Sequence, residues 1–372
     1  MGILGIDVGF GFTKATDGNK IVIFKSVLGE AYDIQFYSRF GKDSFADSLH
    51  VTIDDNSYFI GDFAEQQSSV RQFTLDQETL ISDYVKILAL TAAGSCYKES
   101  ASVNVVSGLP ISYFRRDYKR FSELLTGHNR ITFHSPDGKN LLKTIYIQKV
   151  QMVPQPIGSI FNLLMNDNGR IVNKELSKQK VGVVDIGFRT TDFTVFDHLR
   201  YIERGSSTLD TGISKCFSVI SNRLREESGV SVELYRLYKA VEAGSIKIKG
   251  QEYTISNFRD KVYAHLAGII ANEISRLWAE DWDIDNIVLT GGGCMELADH
   301  LKRLIDGNVI PVENNIDARL NNVQGYVKFG KYLWGQTVAD TTASEAPSQQ
   351  PKEPPDNKVN SKTTDSGSKG PK

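Results

Sequence analysis

Two short stretches combine carboxylates, glycines and cationic or hydroxyl side chains at spacings that suit a polyphosphate. The first reads Asp7-Val-Gly-Phe-Gly-Phe-Thr-Lys14. Gly9 and Gly11 permit a tight hairpin whose backbone N–H groups can approach an anion closely. Lys14 can reach bridging phosphate oxygens as a point charge. Asp7 ends an apolar run and can hold a hydrated Mg²⁺, an ion that usually keeps several of its waters. An ordinary glycine hairpin fits the same residues, so this loop alone decides nothing. The second stretch, Asp185-Ile-Gly-Phe-Arg-Thr-Thr-Asp192, repeats the logic. Offset by 178 residues, Asp7 matches Asp185, Gly9 matches Gly187, Phe10 matches Phe188 and Thr13 matches Thr191. Gly187 frees the backbone, and Thr190 and Thr191 supply hydroxyls. One such loop can arise by accident, whereas a pair makes a phosphate clamp. Phe12 and Thr13 then stand in one jaw and Phe188 and Arg189 in the other, with Asp7 and Asp185 flanking one metal–phosphate. A third element, Ile287-Val-Leu-Thr-Gly-Gly-Gly293, is a strand running into Gly291, Gly292 and Gly293 and then a helix from Met295. Such a junction offers bare backbone to a base or a phosphate; a mobile loop has the same composition.

The elements around these loops repeat as well. Apolar runs Ile3 to Val8 and Val181 to Ile186 are followed by alternating runs Phe12 to Thr16 and Thr191 to Phe196, then by turns into third strands at Ile21 to Lys25 and Tyr201 to Arg204. Each half therefore opens with a β-meander. Helical periodicity follows at Ser82 to Ser95, Tyr113 to Leu125, Gly158 to Met165, Thr211 to Arg225, Val232 to Ala243, Phe258 to Glu280, Met295 to Ile305 and Gly325 to Leu333. Ser231 and Asn257 are candidate N-caps. Further strands read at Ser102 to Ser107, Lys143 to Val153 and Ile287 to Leu289. The pattern is an α/β chain with two sheets, two similar domains facing each other. From about Thr337 the chain changes character, with half of its ten prolines and almost no apolar residue. Residues 337–372 are read as a disordered tail.

Composition narrows the classes of function. Charged residues make up 24% and the net charge is -2, so bulk charge does not suit a coat on nucleic acid or anionic membrane. No apolar run nears the roughly 20 residues of a membrane span, and the N-terminus enters a strand with no secretory leader pattern. Cys96, Cys216 and Cys294 are isolated and the six histidines lack ligand spacing. A reducing, cytoplasmic location is expected. Trp278, Trp282 and Trp334 read as packing or interface residues, Arg115, Arg116, Lys119 and Arg120 as a solvated helix face, and His265 as structural.

The three glycine-bearing elements, in this order and spacing, resemble the actin, chaperone and sugar-kinase superfamily. Val106-Ser-Gly-Leu-Pro110 and Tyr58-Phe-Ile-Gly-Asp-Phe-Ala64 are similar to segments of the ParM/StbA plasmid-segregation actins and archaeal actin-like proteins. The resemblance spans about 1–335. It implies an actin-like (ribonuclease H-like) duplicated two-domain α/β fold with a nucleotide cleft between the domains. Domain I covers 1–153, with 29–78 as a small outer subdomain, and domain II covers 154–336, with a helix at about 325–335 returning to domain I. It implies ATP with Mg²⁺ in the cleft, GTP being an open alternative. Asp7, Gly9, Gly11 and Lys14 match the first phosphate loop, Asp185, Gly187, Thr190 and Thr191 the second, and Gly291, Gly292 and Gly293 the adenosine loop. Val153-Pro-Gln-Pro-Ile-Gly-Ser159 matches the first inter-domain connection, where family members carry a Gln or Glu that positions the attacking water. Gln155 is therefore the catalytic candidate, assisted by Asp185. Asn322-Val-Gln-Gly-Tyr-Val327 resembles the second connection.

The function implied is an ATPase that assembles into head-to-tail filaments and segregates or positions plasmid DNA or another cargo through a DNA-bound adaptor. No direct nucleic-acid or membrane contact is expected. Phe36, Tyr37, Phe40 and Phe45 are candidate filament-contact aromatics. Two other classes stay open at this stage: a small-molecule kinase of the same superfamily and a non-polymerising ATP-binding adaptor. About 335 folded residues leave little room for a kinase's substrate insertions, and the tail is not amphipathic.

Overall fold

The computed structural model describes residues 1–32, 34, 48–76, 78, 81–135, 138–310 and 317–343. Phe36, Tyr37, Phe40, Phe45 and the tail from 344 onward lie outside the described residues.

The first half runs β1 (Gly2–Val8), β2 (Phe12–Thr16), β3 (Ile21–Lys25), β4 (Leu28–Glu30), β5 (His50–Ile53), β6 (Asn56–Ile60), α1 (Asp62–Gln67), β7 (Arg71–Gln72), α2 (Asp83–Cys96), β8 (Ala101–Leu109), α3 (Ile111–Leu125), β9 (Gly127–His134), β10 (Asn140–Pro154) and α4 (Ile157–Leu164). The second runs β11 (Lys180–Ile186), β12 (Thr191–Asp197), β13 (Arg200–Leu209), α5 (Ser214–Ser228), α6 (Tyr238–Ala243), β14 (Ser245–Ile248), β15 (Gln251–Thr254), α7 (Ser256–Leu277), β16 (Asn286–Thr290), α8 (Cys294–Lys302), β17 (Val309–Ile310) and α9 (Asn321–Ala343).

The duplication seen in the loops extends to the sheets. One sheet contains the order β3-β2-β1-β8-β10, and the other is β13-β12-β11-β16-β17. In both, an antiparallel meander is followed by two strands parallel to the first. The central strands β1 and β11 are covered on both faces, which explains their unbroken apolar runs. In the first half the sheet continues β9-β5-β6-β4-β7. The outer lobe expected at 29–78 thus also takes in β9 and the start of β10.

Helix α2 is buried along nearly its whole length, as its all-round apolar sequence requires. Its C-terminal carbonyls are met by two lysines: Lys20 Nζ donates to Ser95 O (2.6 Å) and Lys143 Nζ to Gly94 O (2.9 Å). In the second half Trp278, past the end of α7, donates Nε1–H to Gly205 O at 2.8 Å and packs in the core, as expected. Arg115, Arg116, Lys119 and Arg120 form the exposed face of α3, whose other face buries Phe121 and Leu125.

Several expectations are corrected. Asn257 is no cap, because α7 begins at Ser256. The helix expected from Val232 to Ala243 is a 3₁₀ turn, Leu234–Arg236, followed by α6, so Ser231 caps nothing either. The break turns Tyr235 into an apolar cluster with Val27, Phe59 and Phe63 of the first half, a tertiary contact that overrides local periodicity. His265 is exposed on α7 and has no structural role in the core. The last helix starts at Asn321, not Gly325, and extends through Ala343 into the segment assigned to the tail. It packs on β1 and crosses α4, so it does return to the first half.

Candidate functional site

The strand ends of the two sheets face one cleft, lined by residues of both halves. The space between them is about 1390 Å³, counted out to open solvent. On the first wall, the turn after β1 closes with Gly9 N–H donating to Phe12 O at 3.1 Å. The turn after β11 closes the same way, Gly187 N–H donating to Thr190 O at 2.8 Å. Gly9, Gly11, Phe12 and Lys14 line the cleft from one side, and Gly187, Phe188, Arg189 and Thr190 from the other. Gly291, Gly292 and Gly293 line it at the end of β16. Gly291 sits at φ +86°, and a Cβ there would lie 2.3 Å from Asp185 Oδ1, so only glycine suits this turn.

Thr13 and Thr191, both candidates, do not reach the cleft. Strand alternation decides this: Phe12 and Lys14 point in, so Thr13 points the other way and bonds Ser26 Oγ at 2.9 Å. Thr191 opens β12 and donates to Thr211 O at 2.7 Å. Arg189 lines the cleft, but Asp210 (2.8 Å) and the Leu75 carbonyl (3.0 Å) hold its guanidinium. It offers a ligand its backbone and ties the second half to the first.

The two matched aspartates differ in charge environment, and the register explains why. Asp7 pairs across its hairpin with Lys14, whereas Asp185 pairs with Asp192. Asp7 Oδ2 accepts from Lys14 Nζ at 2.8 Å and Oδ1 from Gln155 Nε2 at 3.1 Å. Asp185 has no cation in contact. Burial pushes its carboxyl up to about 7, with Asp192 and Asp7 adding to the rise and the Asn322 hydrogen bond opposing it. Burial also lifts Asp192 to about 6, against hydrogen bonds from Thr208, Ile111 N–H and Thr190. The bond from Ile111 N–H to Asp192 (3.0 Å) seats the start of α3 on the second half.

Helix α9 organises both walls. Asn322 Nδ2 donates to Asp185 Oδ2 at 2.6 Å, while its Oδ1 accepts from Ser159 N–H (3.1 Å) and Ser159 Oγ–H (2.7 Å) on α4. One turn later the Tyr326 hydroxyl donates to the Gln155 carbonyl at 3.3 Å. The connections between the halves thus hold Gln155 and Asp185 in place. In the sequence Asn322 shows only as part of the second connection; its carboxylate partner lies 137 residues away and leaves no local signal.

Beside the two turns the cleft has an apolar patch of Phe188, Phe217, Tyr238, Val241 and Met295, with Glu242 and Glu296 also on its lining. Phe12 lies against Tyr238 at a 54° tilt (4.7 Å between centroids) and under the Arg319 guanidinium (4.9 Å). Asp317 fixes that guanidinium through Nη2 at 2.7 Å. Phe217, Tyr238 and Arg319 were missed from sequence because no motif marks them. Tyr238 Oη is buried, lies on the cleft and has no hydrogen-bond partner among the described residues. A group with polar atoms and a flat apolar face fits this patch. No cluster of three metal-ligating side chains occurs among the described residues. Two carboxylates, one on each wall, suit an ion that keeps its waters and takes its remaining ligands from a phosphate.

The comparisons with known proteins agree with this architecture. Residues 5–158 match the family model of the N-terminal domain of actin-like proteins, and residues 183–303 that of the archaeal actin homologue MreB-like C-terminal domain. A non-polymerisable quadruple mutant of pCBH ParM is 25% identical with a TM-score of 0.75, over 89% of this chain and 99% of that one. The 15-stranded ParM filament from Clostridium botulinum is similar at 25% identity and a TM-score of 0.76, over the same shares. Ta0583, an archaeal actin homologue also solved in complex with ADP, shares the fold at 20% identity and a TM-score of 0.72. No curated protein sequence matches the chain. Among the described residues no helix is long and apolar enough to cross a membrane. With an actin-like family model matched in each half and the two-domain α/β fold of ParM across most of its length, the chain belongs to the actin-like proteins.

Proposed function

We propose that this chain binds ATP with Mg²⁺ in the cleft, hydrolyses it slowly, and assembles head to tail into filaments that position plasmid DNA or another cargo in the cytoplasm through an adaptor. The observation that carries this reading is the pairing of two closed glycine turns, one from each half, across a cleft with a carboxylate on either wall. The backbone N–H groups of residues 9–12 and 187–190 would hold the phosphates, with Lys14 as their point charge. Asp7 and Asp185 would hold hydrated Mg²⁺, which when bound neutralises charge developing on the transferred phosphoryl group. The apolar patch would take the base, ATP being expected and GTP the alternative, with Gly291, Gly292 and Gly293 beneath the adenosine. Gln155 orients the attacking water through its side-chain amide. Gln155 is a weak base, which suits slow turnover. Domain I is assigned to 1–153 and domain II to 154–336, with α9 closing the hinge between them.

The ADP complex of Ta0583 and the filament of the botulinum ParM support the nucleotide and the assembly respectively. A pelleting assay with ATP, ADP and no nucleotide tests the whole reading. Sedimentation that requires ATP is expected. Phosphate transfer to a small acceptor without sedimentation would identify a kinase, and nucleotide binding with neither would identify an adaptor. Gln155→Ala is expected to slow ATP turnover by about 10- to 100-fold with nucleotide affinity changed less than about threefold. Equal losses in affinity and turnover, read by calorimetry and phosphate release, would assign Gln155 to binding instead.

A further inference from the structure

Trp282 is the most exposed large apolar side chain among the described residues, at 88%. Its turn is nonetheless tied down by hydrogen bonds and ion pairs. Asp281 N–H donates to Trp278 O (2.9 Å) and Ile284 N–H to Asp281 O (3.1 Å). The buried Asp281 carboxylate is gripped by Lys180 Nζ (2.8 Å) and Arg204 Nη2 (2.7 Å). A braced, exposed indole loses little entropy when it is covered and carries a large contact area, the character of an interface anchor.

The opposite end of α7 carries a groove. It lies between α5, the β14–β15 hairpin and the first turns of α7, lined by apolar Val219, Tyr253, Phe258 and Val262 and by charged side chains of both signs. Val219 is 49% exposed with nothing over it. Helix α7 has 22 residues, about 33 Å at 1.5 Å per residue. It holds the Trp282 turn and the groove apart, so the two cannot meet within one chain.

The two faces differ in charge, although the lining of the groove itself is balanced, Arg223 and Lys261 against Glu227 and Glu252. Glu280, Asp281, Asp283 and Asp285 surround Trp282 against Lys180 and Arg204. The hairpin and the α7 start present Lys247, Lys249 and Lys261 against Glu252 and Asp260, beside the partial positive charge of the α7 N-terminus.

We infer that the Trp282 turn of one copy docks into the α5/β14–β15/α7 groove of the next copy, as the longitudinal contact of the proposed filament. A knob and a socket at opposite ends of one helix form a heterologous contact, which propagates without closing. This inference rests on the filament reading, and the test separates the two. Trp282→Arg and Val219→Arg are each read by ATP-dependent sedimentation, with melting temperature and nucleotide affinity as controls for an intact cleft. Each variant alone is expected to raise the protein concentration needed for pelleting by about tenfold or more. Mixed one to one with ATP, the two retain one good knob and one good socket. They are expected to give a dimer by light scattering and no pellet. Wild type that pellets while Trp282→Arg pellets equally well would overturn the docking and leave the filament reading standing. An absent dimer in the mixture would also overturn it. Wild type that never pellets would remove the filament reading and this inference together.

Discussion

Asp185→Asn is expected to cut ATP turnover by about 100-fold or more while raising the melting temperature of the nucleotide-free protein at pH 8. The two effects have one cause. Asp185 is buried opposite Asp192, with no cation in contact, and its titration moves from 3.8 up to about 7. Between those pH values the folded chain holds a proton that the unfolded chain has released. Stability therefore falls as pH rises through that window, and the penalty is complete above about pH 7. At about 1.4 kcal/mol per pH unit the penalty is on the order of 4 kcal/mol. Asparagine removes it and can still accept the Asn322 hydrogen bond. A gain of about 5 °C is expected at pH 8 and little change near pH 4. Mg²⁺ and nucleotide should stabilise wild type more than the variant, because the ion repays the buried charge only when that charge is present. Turnover within threefold of wild type, or a melting temperature lowered equally at both pH values, would remove Asp185 from the site.

Gly325→Ala is expected to have the largest effect on folding. Helices α4 and α9 cross with backbone against backbone: a Cβ on Gly325 would lie 1.7 Å from the Gly158 carbonyl oxygen and 2.9 Å from Asn162 N. Backbone cannot yield as a flexible side chain can, so the helices must separate. That separation would also loosen the bonds from Asn322 to Asp185 and Ser159. A cost of about 3 kcal/mol or more is expected, within the range of overpacked cores, seen as loss of soluble protein or a melting temperature lower by about 8 °C or more. Gly268→Ala on α7 is the control. Nothing lies within 4 Å of its Cβ position, so alanine there is expected to stabilise by about 0.5–1 kcal/mol through helix propensity. If both substitutions behaved alike, the crossing would not be the tight hinge described.

What was legible in the sequence was the duplication. Asp7 and Asp185, with their glycines, stand in loops joined to strands whose apolar runs show on their own, and the sheets repeat the same order around them. Legibility failed where the deciding partner is remote or sits on the wrong face. Thr13 and Thr191 are adjacent in sequence to cleft residues, but a strand sends neighbours to opposite sides. Tyr238, Phe217 and Arg319 enter the cleft from segments without a motif, and Asn322 acts through a fold-made contact. The hairpin β14–β15 was missed because its turn is Lys249-Gly250, with Lys249 at φ 49°, not one of the Asn-Gly or Asp-Gly pairs that mark such turns. The helix expected through Tyr235 breaks because that ring is drawn against Phe59 and Phe63 across the cleft.

The central claim is that two hairpins related by duplication grip opposite sides of one nucleotide. It is tested most directly by a crystal structure with Mg²⁺ and a non-hydrolysable ATP analogue. The account predicts phosphate oxygens accepting N–H bonds from residues 9–12 and from residues 187–190 at once, with Asp7 and Asp185 facing the ion. Phosphates held by one hairpin alone, or a nucleotide bound outside the cleft, would contradict it.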